Sequence, residues 1–173
     1  MVEPTDGGQE DLLRGDEGHL AGLGEIFLQA MDFRRKGDVD RASDLLRIIL
    51  RREPRLPEPH LELAHIFLEM NRLDEAESEG REALRLLLAG GQWIEDIAED
   101  VLKSLAHALV GEVLRRRTEQ DEVVFGDPEA FRSLLAQSRK HFAEASRLDP
   151  ENDHAGYHDF FLGLEEENGA TEG

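Results

Sequence analysis

Apolar residues recur at helical spacing from about Leu20 to Leu164, and no segment alternates with period two, so the pattern is all-α. The first helix is expected near Leu23–Lys36, with Ile26, Phe27, Ala30 and Phe33 on one face. Gly37 supplies a left-handed stop and Asp38 a cap for the next start. A second helix near Val39–Arg52 carries Ala42, Leu45, Leu46, Ile49 and Leu50, and Pro54, Pro57 and Pro59 close it and open the next unit.

This pattern repeats. A shift of 34 residues brings Ala30 onto Ala64, Phe33 onto Phe67, Gly37 onto Asn71, Asp40 onto Asp74, Ala42 onto Ala76 and Leu50 onto Leu84. Asn is the usual substitute for Gly in a left-handed cap. Small residues at Ala30/Ala42 and Ala64/Ala76 allow the two helices of each unit to approach closely, and the aromatic residues fill the space beside them. A third unit closes on Ser138, Phe142, Ala145 and Leu148-Asp149-Pro150. Its opening helix fits with Leu102, Leu105-Ala106 and Leu109 at the matching positions, which leaves 20 extra residues between its two helices. Long helices are expected near Trp93–Arg117 and Pro128–Arg147, joined by a loop near Thr118–Gly126, with Asp127-Pro128-Glu129 as a helix start. A last half unit near Asn152–Leu164, with His154, Tyr157-His158 and Phe161, caps the stack.

A helix–turn–helix unit of 34 residues with these small, aromatic and proline positions resembles the tetratricopeptide repeat family, whose pattern is W-x2-L-G-x2-Y, A-x3-F, P. The first unit matches with Ile26, Gln29-Ala30, Phe33, Ala42, Leu46 and Pro54, and the second with His60, Leu63-Ala64, Phe67, Ala76 and Gly80. The resemblance implies a solenoid over residues 23–163. It also implies a concave face built by the first helix of each unit, which binds a protein or peptide partner. The residues it points to are Phe27, Met31, Arg34 and Arg35, then Leu61, His65, Leu68 and Glu69, then Lys103, His107 and Val110. The expected face is a partly exposed apolar groove with charges at its edge. One subgroup of the family grips chaperone carboxyl tails with a clamp of Lys, Asn and Arg. Here Phe27, Met31 and Glu62 stand at three of those positions, so that use is not expected.

Composition narrows the function. The net charge is −19, concentrated partly in Gly-rich ends: residues 1–22 carry six acids against Arg14, and residues 164–173 carry four acids. Both ends are expected to be loose acidic tails. Such a surface disfavours phosphate backbones and anionic lipid, so neither nucleic acid nor membrane is an expected partner. With no Cys, no basic start followed by an apolar run and no membrane-length segment, a cytoplasmic protein is expected. His154 and His158 are four apart and could hold zinc, but no third ligand is apparent along the chain, and no metal or cofactor is expected. His60 and His65 are five apart and point apart. Gly22-Leu23-Gly24 follows no strand and is expected to be a helix lead-in, not a nucleotide loop. Arg115-Arg116-Arg117 suits a helix C-terminus.

An adaptor or scaffold is therefore the leading reading. The alternative is a chaperone for a secreted protein, by resemblance to type III secretion translocator chaperones; an enzyme is a distant third. The elongated third unit is expected to project as a hairpin, with Val113 and Leu114 packed on Phe131, Leu134 and Leu135. Its tip, Val123, Val124 and Phe125, is a candidate contact with a partner or a second copy.

Overall fold

The computed structural model describes the backbone of residues 7–169 and the side chains of residues 18–162. Among the described residues eight helices follow one another: α1 (Gly7–Arg35), α2 (Val39–Arg52), α3 (Pro57–Glu69), α4 (Leu73–Ala89), α5 (Glu99–Arg117), α6 (Asp121–Val124), α7 (Pro128–Leu148) and α8 (Asp153–Gly169). Helices α1/α2, α3/α4 and α5/α7 form three antiparallel pairs. Each successive pair stacks on the last, and α8 packs on α7.

The two turns of the 34-residue repeat are built alike. Gly37 N–H donates to Arg34 O at 2.9 Å and Asp38 N–H to Phe33 O at 2.9 Å. Asn71 N–H donates to Leu68 O at 3.0 Å and Arg72 N–H to Phe67 O at 2.8 Å. This is the double carbonyl closure of a helix end with a left-handed residue, and φ is +81° at Gly37 and +57° at Asn71. Asp38 then caps α2 through the Arg41 N–H. Ala30, Ala42, Ala64 and Ala76 are all fully buried, as close helix approach requires.

The third unit departs from the expected register. Residues 92–98 are not helical, and α5 starts only at Glu99. The residue that meets the second helix of the unit is Gly111, not Ala106. A Cβ on Gly111 would lie 3.2 Å from the buried Phe142 ring, and Ser138 Oγ donates to Gly111 O at 2.8 Å. Ser104 Oγ adds a bond to Ala145 O at 2.8 Å on the same face. Ala106 is also buried, but with Leu102, Leu109 and Val113 it faces the core of the first two units. Helix α5 is thus apolar on two sides, one facing each neighbour.

The elongation at the far end of this unit lies in its second helix. Arg117 ends α5 six residues beyond Gly111, close to the five by which Glu69 ends α3 beyond Ala64. Helix α7 begins ten residues before Ser138, whereas α4 begins three before Ala76. Val113 and Leu114 are buried there, and Phe131, Leu134 and Leu135 are half-buried. Within the expected loop, residues 121–124 form one helical turn, α6.

At the ends, the tails expected at residues 1–22 and 164–173 lie partly outside the described residues, which exclude 1–6 and 170–173. The backbone is helical from Gly7 in α1 and to Gly169 in α8, where a loose chain is expected. Adding a residue to an existing helix gains a hydrogen bond without a new nucleation cost, so packed helices extend outward.

The close contact at Gly111 predicts that Gly111→Val lowers unfolding free energy in urea by about 2 kcal/mol, the scale of overpacking a filled core. Gly22→Ala, where nothing lies within 4 Å of the new Cβ, is expected to raise stability by about 0.5–1 kcal/mol through helix propensity.

Candidate interaction face

The first helices of the units and α8 carry a continuous row of charged and imidazole side chains. It starts on α1 at Arg34, whose guanidinium bridges two carboxylates of α3, Glu62 and, at 2.7 Å, Glu69. His65 lies beside this bridge. Burial, reinforced by the Arg34 charge, pushes its pKa down to about 4, so the ring is neutral near pH 7. On α5, Glu112 accepts from Arg115 Nε at 2.8 Å and from Arg116 Nε at 2.9 Å. Arg116 also donates to Leu68 O at 3.2 Å, joining α5 to the end of α3. Burial raises the Glu112 pKa, but the two arginine hydrogen bonds outweigh it and hold the carboxyl below its ordinary value. His158 of α8 completes the row, with Nε2 4.0 Å from Glu112 Oε2.

This arrangement corrects the expected apolar groove. Phe27, Leu61 and Leu68 are buried in the main core, because the first helices sink these positions between their neighbours. Val110 is fully buried and lies against Gly80 of α4. Lys103 pairs with Glu99 along its own helix at 2.5 Å. His107 turns to α7, where its Nδ1 lies 3.0 Å from His141 Nδ1. Both line an open cavity of about 710 Å³ between the end of α4 and the outer sides of α5 and α7, with Leu88, Lys140 and Arg147. Met31 is half-buried against the core, and Arg35 is exposed and pairs with Asp32. Of the expected residues, the structure brings Arg34, His65 and Glu69 together. With Gly111 as the matching residue, Leu61, His65, Leu68 and Glu69 correspond to Ala108, Glu112, Arg115 and Arg116. Reading the register from Ala106 missed the last three; the Phe142–Gly111 contact is the feature that reveals them.

A second departure explains the burial of Phe27. Residues 92–98 run as a strap across residues 21–28 of α1 and the start of α3. Ile94 and Ile97 pack beside Gly24 and Phe27, and Trp93 Nε1 donates to Ile97 O at 3.1 Å. Glu58 of α3, only 2% exposed, anchors the strap by accepting the Ile94 and Glu95 backbone N–H groups. Its other oxygen, Oε2, has no hydrogen-bond partner among the described residues. Burial pushes the Glu58 pKa up despite those two bonds. Glu62 and Glu95 are likewise raised by burial, and the Glu62 charge adds to the effect on Glu95.

At the far end of the third unit, Phe125 is 83% exposed, Val124 is exposed and Val123 is half-buried. Among the described residues no helix is long and apolar enough to cross a membrane.

No known family profile matches the chain, and no curated protein matches it in sequence. Solved structures do match. The first tetratricopeptide repeat domain of Spaghetti (RPAP3), bound to an HSP90 peptide of sequence SRMEEVD, superimposes with a TM-score of 0.60 at 14% identity. The match covers 81% of this chain and 89% of that one. The fold is a tetratricopeptide-type helical solenoid.

The strap anchor gives a pH prediction. A carboxyl with a raised folded pKa binds its proton more tightly when folded, so its contribution to stability increases as pH falls through that pKa. Gln at position 58 has no such proton to gain. Wild type is therefore expected to gain stability relative to Glu58→Gln between about pH 7 and about pH 4, measured by urea unfolding at each pH. A pH-independent gap would contradict the assignment.

Proposed function

We propose that the protein is an interaction adaptor that holds a charged segment of a partner protein on the face formed by α1, α3, α5 and α8. The observation that carries this reading is the row from Arg34 through Glu62, Glu69 and His65 to Glu112, Arg115, Arg116 and His158, which crosses four helices and remains partly exposed. The strap covers residues 21–28 of α1 and the start of α3, so the partner uses the C-terminal ends of these helices. Charges of both signs favour a partner segment that also carries both, since such pairing fixes register and excludes like-charged competitors. That a structurally similar domain binds a peptide supports the reading in kind. The tip residues Val123, Val124 and Phe125 provide a second contact in this proposal, with a partner or another copy.

Co-purification from the native host tests both surfaces. Arg34→Ala/Arg116→Ala is expected to lower partner recovery about tenfold or more, the scale of losing central charged contacts. Its thermal midpoint should stay close to wild type, because partly exposed ion pairs contribute only about 0–1 kcal/mol to folding. Phe125→Ser should lower recovery, or the mass measured by light scattering, without loss of stability. Unchanged recovery in the first variant rejects the face, and unchanged association in the second rejects the tip.

A further inference from the structure

We propose that Glu112, His154 and His158 form a binding site for a zinc-class divalent cation that clamps α8 to α5. Along the chain the two histidines lack a third ligand; the fold supplies it. Among the described residues this is the one group of three such donors whose ligand atoms all lie within 4.8 Å of one another. The closest measured approach to the carboxylate is 4.0 Å, from His158 Nε2 to Glu112 Oε2. Ligand atoms around a tetrahedral zinc with bonds of about 2.0–2.1 Å stand about 3.4 Å apart, so small side-chain rotations close the set.

The surroundings suit the role. His154 and His158 sit one turn apart on α8, with ring centroids 4.6 Å apart. The buried Phe142 ring stacks on His158 at 4.7 Å and meets His154 edge-on at 5.7 Å, which restricts both imidazoles. Arg115 and Arg116 hold the carboxylate, with Arg115 Nε on Oε2 and Arg116 Nε on Oε1, as outer-shell partners of metal ligands do. Their charge does not stand alone, because Arg115 also pairs with Glu119 at 2.6 Å. Two imidazoles and one carboxylate select a borderline transition metal over magnesium or calcium, and leave the fourth position to water or to a group from a bound partner. His154 is exposed, so a cation reaches the site directly.

The test titrates the full, tag-free chain with Zn2+ by calorimetry and with Co2+ by visible absorption. One equivalent is expected to saturate the site, to give a low-symmetry Co2+ spectrum, and to raise the thermal midpoint. His154→Ala and Glu112→Gln should each weaken binding at least about tenfold, the scale reached even by outer-shell changes. His107→Ala/His141→Ala, which removes the other close imidazole pair, should leave binding unchanged. His154→Ala alters an exposed side chain, and far-UV circular dichroism verifies that it folds. Absence of saturable Zn2+ and Co2+ binding by the wild type overturns the proposal. So does binding that persists in His154→Ala/His158→Ala, or that is lost only with His107 and His141.

Discussion

Everything in this solenoid depends on where one helix can approach another without an intervening side chain. Ala30 with Ala42 and Ala64 with Ala76 set that approach in the first two pairs. In the third pair the same place is taken by Gly111 against Phe142, with Ser138 beneath. Dense interiors accept no extra methyl group there without movement, so these contacts fix the rotation of each first helix about its axis. That rotation decides which residues reach the outer face. For α5 it sends Glu112, Arg115 and Arg116 toward α3 and α8, and buries Val110 against α4.

The strap is the second determinant of the face. A buried carboxylate that accepts two backbone N–H groups holds residues 92–98 across α1 and α3, where periodicity alone would continue a helix. Burying apolar area at Ile94 and Ile97 compensates for the helical hydrogen bonds given up. Three carboxylates of raised pKa, Glu58, Glu62 and Glu95, then sit near the crossing. Their desolvation cost couples the anchoring of the strap to pH. The strap also divides the face: apolar and covered along residues 21–28 of α1 and the start of α3, polar and open at the C-terminal ends of these helices.

The far end of the third unit is built by the same rules. Helix α7 begins earlier in its unit than α4 does in its own, and α5 and α7 pack on each other through Gly111, Ser138 and Phe142. Arg117 ties the end of α5 back to α4 through Asp74 at 2.6 Å and Glu77 at 2.7 Å. The hairpin is therefore braced at its base, while Phe125 at the tip stays in solvent.

The sequence by itself determined the helical class, the 34-residue repeat and both left-handed turns, because each rests on local geometry: period, Gly37 and Asn71, capping Asp38, and small residues at matching positions. It also brought Arg34, His65 and Glu69 together on the first helices of the first two units, since those units repeat without insertion. Tertiary structure alone decided the rest. Helix α5 offers small residues on two sides, Ala106 and Gly111, and only contact with Phe142 tells which one meets the paired helix. Apolar positions such as Phe27, Leu61 and Leu68 look the same in sequence whether they line a groove or fill a core; the strap and the neighbouring helices settled that they are core. Glu112 joins His154 and His158 across more than forty residues of chain, a proximity that depends on how α5 and α8 pack and leaves no mark in local sequence.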